Sequence, residues 1–570
     1  MKNVLEKIYL CFFSLLCMAS CKPNVEVEKI SIETFFKDAE KSVFSVSPDG
    51  KYISYLQPYN GKLNIFVESL DGDSTTRITS EEQQSIDKYF WAGNHHILYV
   101  LDNGQEKDFK LFSVTRDGKK NIRIDIKPKT KVKFIQQFEY ANHDILLALN
   151  ERNPENFDVY KLDLRTGKRK MVEKNPGNII NWIADDKDEI RLAIGSDGVT
   201  QTVYYRENNN GKFNAVQSCN FKNTLQPIGF TGKKDHIYAL SNLKRDKLAL
   251  VEFNCKTGKE TRLLYENKRG DITDVMYSKS LKKMVYVNTE IEKREVHFLD
   301  RDIADVYYKI RSRLHGQKFK VVNSDNEETL FVLRSFTDKT PGAYYIYFIK
   351  QDSLKKLADV NPAIDPQNMC EQKPVHYKTR DGVTIQGFLT IPKNKAPRNL
   401  PCIVIPHEGP HSKNVWGYSE EVQFLANRGY AVFQMNFRGS SGFGKEFKNA
   451  GYKKWGTTIH NDITDGVKWL IRNEIADKKK IAIYGFGFGG SAALNQLIYN
   501  PDLYACAVSK SGLTNLFTYI KGIPAYYKPS EVMLHEIIGD PEKDVEYLKY
   551  SSPIFHAKKI KKPVFIVQGG

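Results

Sequence analysis

Long apolar runs are missing from this 570-residue chain, which excludes a multi-span membrane protein. Cysteine is scarce as well: eight in the whole length cannot staple a disulfide scaffold. Nor is there a sustained basic block. The 85 Lys+Arg against 68 Asp+Glu are spread along the chain, so the net charge of +17 reads as a lysine-rich solvated surface with no nucleic-acid partner. Hydrophobic residues at 41%, aromatics at 12% and charged residues at 27% are ordinary globular values and rule out a disordered or collagen-like chain. The length suggests about three or four domain equivalents.

The first residues read as an address. Lys2 and Lys7 flank an apolar stretch from Ile8 to Leu16 that is too short to span a bilayer, and small residues follow at Ala19 and Ser20. Residues 1–20 are therefore expected to be a signal peptide and 21–43 an N-terminal tether segment. Met18-Ala19-Ser20-Cys21 resembles the bacterial lipobox, although Met18 stands where leucine is usual. That resemblance implies a lipid on Cys21 and an exported, membrane-anchored lipoprotein of the cell envelope, in the periplasm or on the outer membrane. The alternative is an ordinary signal peptide cut near Ser20. The other cysteines of the mature chain, Cys219, Cys255, Cys370, Cys402 and Cys506, show no metal-like spacing.

From residue 44 to 360 one pattern repeats: a short strand opened by an aromatic or apolar residue, a polar turn, a β-branched strand, and an alternating strand ending in a Gly turn. Phe44, Phe90, Phe138, Trp182, Phe230, Met276 and Val321 open seven units about 44 to 48 residues apart, near the length of a four-stranded propeller blade. One such sheet cannot bury its own apolar face, whereas a closed ring of them can. A seven-bladed β-propeller over 44–360 is predicted; a β-sandwich pair would not need so even a period. The His95-His96 pair lies at a strand entry and reads as a turn feature.

After residue 361 the pattern changes. Val375 to Pro392 reads as a hairpin with an Asp381-Gly382 turn. Short apolar strands, such as Cys402-Ile-Val-Ile and Ala431-Val-Phe-Gln-Met-Asn, then alternate with helical stretches, as in a mostly parallel sheet covered on both faces.

Pro406-His-Glu-Gly-Pro-His-Ser, Asn436-Phe-Arg-Gly-Ser-Ser-Gly-Phe-Gly, Trp455-Gly, Asn461-Asp-Ile-Thr-Asp-Gly and Ile483-Tyr-Gly-Phe-Gly-Phe-Gly-Gly occur in that order. With Ser552-Pro-Ile-Phe-His-Ala they resemble the α/β-hydrolase domain of the prolyl oligopeptidase family of serine peptidases, nearest its acylaminoacyl-peptidase and dipeptidyl-peptidase-like branches. The resemblance implies an α/β-hydrolase over 361–570 behind a seven-bladed propeller, short peptides as partners, and neither cofactor nor metal.

It also implies where the chemistry should sit. The family's nucleophilic serine occupies the centre of G-x-S-x-G, and Gly487 stands there, between Gly485 and Gly489. The elbow holds its residue in a strained backbone conformation costing about 1–3 kcal/mol, which glycine relieves; but glycine has no Oγ to form an acyl-enzyme. Ser491, about one turn into the helix, is too far along to substitute. The oxyanion donors would be the N–H of Phe488 and a group on the loop carrying His407, where Glu408 replaces the family's first glycine. His407-Glu-Gly-Pro-His411 matches the H-E-x-x-H zinc pattern formally, but Gly409 and Pro410 exclude the helix it needs. The sequence stops at Val567-Gln-Gly-Gly570, so the acid and histidine of the triad are expected beyond residue 570 and the hydrolase is expected to be incomplete. Asp540, His535 and His556 are not at motif positions.

Three readings compete: a homologue inactive as written, possessing the family's architecture without its triad; an active serine-type exo- or oligopeptidase in a full-length form; and a non-catalytic surface protein that binds peptides or uses the propeller as a receptor.

Overall fold

The computed structural model describes residues 28–72, 74–101, 109–135 and 143–569. Residues 1–20, expected to be a signal peptide, and Cys21, Phe138 and Gly570 lie outside the described residues.

Seven antiparallel sheets, each cut from one contiguous stretch, follow one another over 42–77, 88–123, 132–173, 179–220, 225–265, 272–298 and 318–359. Their inner strands are mostly apolar and mostly buried because each sheet is covered on both faces. In the second blade, strand His96–Leu101 is buried throughout. Ile97, Tyr99 and Leu101 pack against Leu56, Ile65 and Val67 of the first blade. Leu98 and Val100 pack against Ile145, Leu147 and Leu149 of the third. Alternate side chains thus serve opposite neighbours, and one blade after another is locked into the ring.

Among the described residues no sheet contains strands from both ends of the repeat, so the ring closes mainly by side-chain packing. Phe44, Val46, Ile53 and Tyr55 of the first blade pack on Leu330, Val332 and Ile346 of the seventh. Two polar contacts pin the same seam: the Val46 N–H donates to Asn323 Oδ1 at 2.6 Å and the Asn326 N–H to the Pro48 carbonyl at 2.9 Å.

Two blades depart from the predicted unit. The third opens with Val132–Phe134, upstream of Phe138. The sixth has three strands, and a helix, Arg301–Arg313, follows where a fourth would lie. Asp300 caps that helix by accepting the Ile303 N–H at 3.0 Å, and Ile310 and Leu314 bury against Phe319 and Leu333 of the seventh blade.

The hydrolase sheet has seven strands: β1 (Gln372–Lys378), β2 (Thr384–Thr390), β3 (Leu400–Pro406), β4 (Ala431–Asn436), β5 (Ala476–Phe486), β6 (Cys506–Lys510) and β7 (Val564–Val567), in the order β1-β2-β4-β3-β5-β6-β7. β2 runs antiparallel to both of its neighbours, β1 and β4, and β4, β3, β5, β6 and β7 run parallel. Helices α1 (Glu420–Asn427), α2 (Thr458–Arg472) and α3 (Phe488–Tyr499) cover it. Ile459, Ile463 and Val467 of α2 and Ala492, Ala493 and Leu497 of α3 share one core with Val404, Phe433 and Ile483; Val422 of α1 packs on Ile403, Ile405 and Val432.

Residues 28–36, expected as part of a tether, dock on this domain. The Ile30 N–H donates to Asn427 Oδ1 at 3.1 Å, Asn427 Nδ2 to the Glu28 carbonyl at 2.9 Å, and Phe35 meets Phe424 edge-on at 5.9 Å. The domains touch at the carboxyl ends of the parallel strands. Beyond β3, Lys413 Nζ donates to the Glu290 carbonyl at 2.6 Å; beyond β4, the Gly444 N–H donates to Asp271 at 3.1 Å and the Glu446 N–H to Asp246 at 2.9 Å.

Phe44→Ala should open the seam. Truncating a buried phenylalanine typically costs about 3–5 kcal/mol, so urea unfolding should show a loss of that order. Limited proteolysis should become faster within the first and seventh blades while the hydrolase fragment stays resistant.

Candidate functional site: the turn from β5 into α3

β5 ends in an apolar run over residues 481–484, then reverses into α3 at Gly487, whose backbone sits at φ 55°, ψ −118°. Only glycine adopts such an angle pair without strain. The turn is held from both sides: the Gly487 N–H donates to the Lys510 carbonyl at 2.9 Å, and the Gly487 carbonyl accepts from the Ser491 N–H at 3.1 Å. The flanking glycines answer to packing. A Cβ on Gly485 would overlap the backbone of Gly489, and one on Gly489 would overlap the Pro406 carbonyl. Backbone therefore lies directly on backbone here, and β3, β5 and α3 are fixed relative to one another.

Gly487 thus stands at the carboxyl end of a central parallel strand, on the side of the sheet that meets the propeller. It has no side chain, and the space above its α-carbon is partly taken. A Cβ at that position would sit 3.3 Å from Cγ and 3.6 Å from Oε1 of Glu408, a solvent-exposed residue on the loop after β3.

Phe488 opens α3, so its N–H belongs to the first turn and has no acceptor four residues back. Its side chain is buried, 5.0 Å from Trp455 and 5.7 Å from Phe437 between ring centroids. Phe488 can therefore offer the turn only its backbone.

The same is true of His407. Its ring stacks on Phe437 at 4.1 Å, its Nδ1 lies 3.0 Å from the Gly409 carbonyl, and its Nε2 lies 2.7 Å from Ser440 Oγ. In the neutral imidazole Nδ1–H donates to the Gly409 carbonyl, and the single Ser440 hydroxyl proton lies between two acceptors, Nε2 and the Phe437 carbonyl, each 2.7 Å from Oγ. Burial pushes its pKa down to about 4. His411 turns to another partner, the Gly439 carbonyl at 2.9 Å from Nδ1. The stretch from His407 to His411 is loop, so the two imidazoles do not share a helix face.

Ser440 and Phe437 are held in turn by a cluster that motif order alone does not reveal. Arg438 Nη2 donates to Asp462 Oδ1 at 2.5 Å, the Arg438 backbone N–H to Asp462 Oδ2 at 3.0 Å, and Arg438 Nη1 to Asp381 Oδ2 at 2.5 Å. Asp462 is buried on α2, and Asp381 sits in the β1–β2 turn, its carboxyl held down to about 2 by Arg438. Arg438 thereby ties the loop after β4 to a helix and a hairpin, and that loop holds His407. One charged residue of opposite sign in each of two motifs, Arg438 in Asn436-Phe-Arg and Asp462 in Asn461-Asp, was the signal available.

The remaining candidates lie elsewhere. Ser491 is buried in the first turn of α3. Asp540 accepts the Glu542 N–H at 2.8 Å, His535 is on the helix Glu531–Ile538, and His556 lies edge-on to Tyr499 at 5.7 Å. His96 starts a strand of the second blade and faces His143 at 6.2 Å.

A family model described as the prolyl oligopeptidase family matches residues 416–570. The chain is 31% identical over 557 residues to dipeptidyl aminopeptidase BIII of Pseudoxanthomonas mexicana, an alignment covering 95% of this chain and 80% of the relative. It is 27% identical to dipeptidyl peptidase family member 6 of Caenorhabditis elegans, covering 95% and 79% respectively. Among solved structures, a puromycin-hydrolyzing peptidase of Mycobacterium tuberculosis superposes with a TM-score of 0.70 at 14% identity, over 95% of this chain and 87% of that one. At that identity the likeness is one of fold.

Two outcomes are expected from this geometry. Gly487→Ala should cost about 1–3 kcal/mol through backbone strain, because the nearest obstacle is an exposed, movable glutamate. Gly489→Ala should be far worse and leave little folded protein, since rigid backbone is in the way; circular dichroism and urea unfolding separate the two. The second concerns pH. His407 and His460, both buried, are pushed down to about 4, whereas an unfolded chain protonates histidine near 6.5. Between those values the unfolded state binds more protons, so stability should fall as pH drops from about 6.5 towards 4, by up to about 1.4 kcal/mol per pH unit for each histidine. Urea unfolding across that range should show a shallower decline in His460→Met than in the parent.

Proposed function

The chain belongs to the prolyl oligopeptidase family, and from that premise we propose that it is a member which binds short peptides between propeller and hydrolase without forming an acyl-enzyme. One observation carries the reading: at the tip of an intact strand–turn–helix elbow, Gly487 presents a hydrogen atom where acyl transfer needs an activated oxygen. The rest of the architecture supports peptide binding. The elbow opens towards the propeller, the Phe488 N–H remains at the start of α3, and the loops bearing His407 and Arg438 are braced by buried contacts.

The sequence supports export and anchorage through a lipid on Cys21, which would put peptide binding at the cell envelope. The 31% identity to a dipeptidyl aminopeptidase favours a second reading, a serine-type peptidase. The two part on a single reagent. A fluorophosphonate probe labels only an activated serine, so the purified chain should remain unlabelled beside a labelled family peptidase, and clean stoichiometric labelling would overturn the non-acylating reading.

A further inference from the structure

Two departures from the family pattern, far apart in sequence, meet at one point. Position 487 has lost a side chain and position 408 has gained one, and the carboxylate of Glu408 leans over the bare α-carbon of Gly487, its Cγ 3.3 Å and its Oε1 3.6 Å from where a Cβ would project. The loop beneath Glu408 cannot drift. His407 is anchored to Ser440, and the Pro406 carbonyl packs against the α-carbon of Gly489. A carboxylate thus stands, on a fixed stem, at the rim of the place where a nucleophile's oxygen would be.

This carboxylate is uncommitted. Among the described residues no lysine, arginine or histidine forms an ion pair with it. Lys510, whose carbonyl holds Gly487, has its ammonium 5.6 Å from the centre of the Phe486 ring. The first turn of α3 contributes about half a positive charge; against a full negative charge, the sum at the elbow stays negative. Such a site opposes the build-up of an oxyanion and favours a cation.

We propose that Glu408 and Gly487 together convert the elbow into a subsite for a cationic group of the bound peptide, a primary ammonium or a guanidinium, with Glu408 as the residue that determines specificity. The proposal rests on the peptide-binding reading above and names the chemistry that reading would select. With no side chain at 487, Glu408 leans over the turn, and its exposed carboxylate forms a charge-assisted hydrogen bond with the ligand's cation.

Isothermal titration calorimetry on the full chain tests this with Ala-Ala-Ala-amide, acetyl-Ala-Lys-Ala-amide, acetyl-Ala-Arg-Ala-amide and the neutral acetyl-Ala-Ala-Ala-amide. At least one cationic peptide should bind about ten-fold more tightly than the neutral one. The first peptide against the second and third separates a terminal ammonium from a side-chain cation. Glu408→Gln, which keeps the shape and loses the charge, should abolish the preference while circular dichroism and the unfolding midpoint stay as in the parent. If the neutral peptide binds as tightly, or if Glu408→Gln retains the preference, the proposal is overturned and peptide binding survives. If none of the four binds the parent chain, the peptide-binding reading falls and this inference falls with it.

Discussion

The hydrolase half of this protein depends on one contact in which no side chain takes part. At the end of β5 the chain doubles back over itself, with Gly485 against Gly489 and Gly489 against the Pro406 carbonyl. Cβ atoms at these two glycines would force three elements apart. Because the glycines let backbone touch backbone, the amino end of α3, the tip of β3 and the turn between them keep a fixed geometry whatever stands at position 487. That explains how the elbow can be intact without a hydroxyl: its shape is set by 485, 489 and 406, and position 487 needs only a residue tolerant of its dihedral angles.

A second layer of support is electrostatic. Arg438 joins a buried aspartate on α2 to an aspartate in the first hairpin. Removing one partner of such a pair leaves a buried charge uncompensated, typically at about 3–5 kcal/mol. The loop it braces carries Ser440 and Phe437, which hold His407 by a hydrogen bond and a stacked ring. The imidazole is therefore a strut, and what the loop after β3 offers to solvent is Glu408.

Much of this was legible in the sequence. The blade period came through because strands covered on both faces are mostly apolar while the turns between them are polar, and Phe44, Phe90, Trp182, Phe230, Met276 and Val321 all fall in first strands of their blades. The sixth blade's helix was hidden, because Asp300 and the polar residues that follow read equally well as a loop. The docking of residues 28–36 was hidden too, since their partner Asn427 lies almost four hundred residues on. At the site, the spacing of glycines at 485, 487 and 489 after an apolar strand announced the elbow. The approach of Glu408 to Gly487 was not legible, because it arises only when β3 and β5 are neighbours in the sheet. Nor was the orientation of His407, which depends on Ser440 from a third strand's loop.

The propeller is a ring whose two ends share no sheet, and its entering segment, residues 28–36, rests on the hydrolase through Asn427 and Phe424, while Asn361, just past the last blade, holds that same segment by donating to the Thr34 carbonyl at 2.8 Å. The hydrolase is thus the buckle on the belt. Tension applied to the chain ahead of residue 28 loads that buckle first, and the opening strand of the first blade feels it only once the dock on Asn427 has given way.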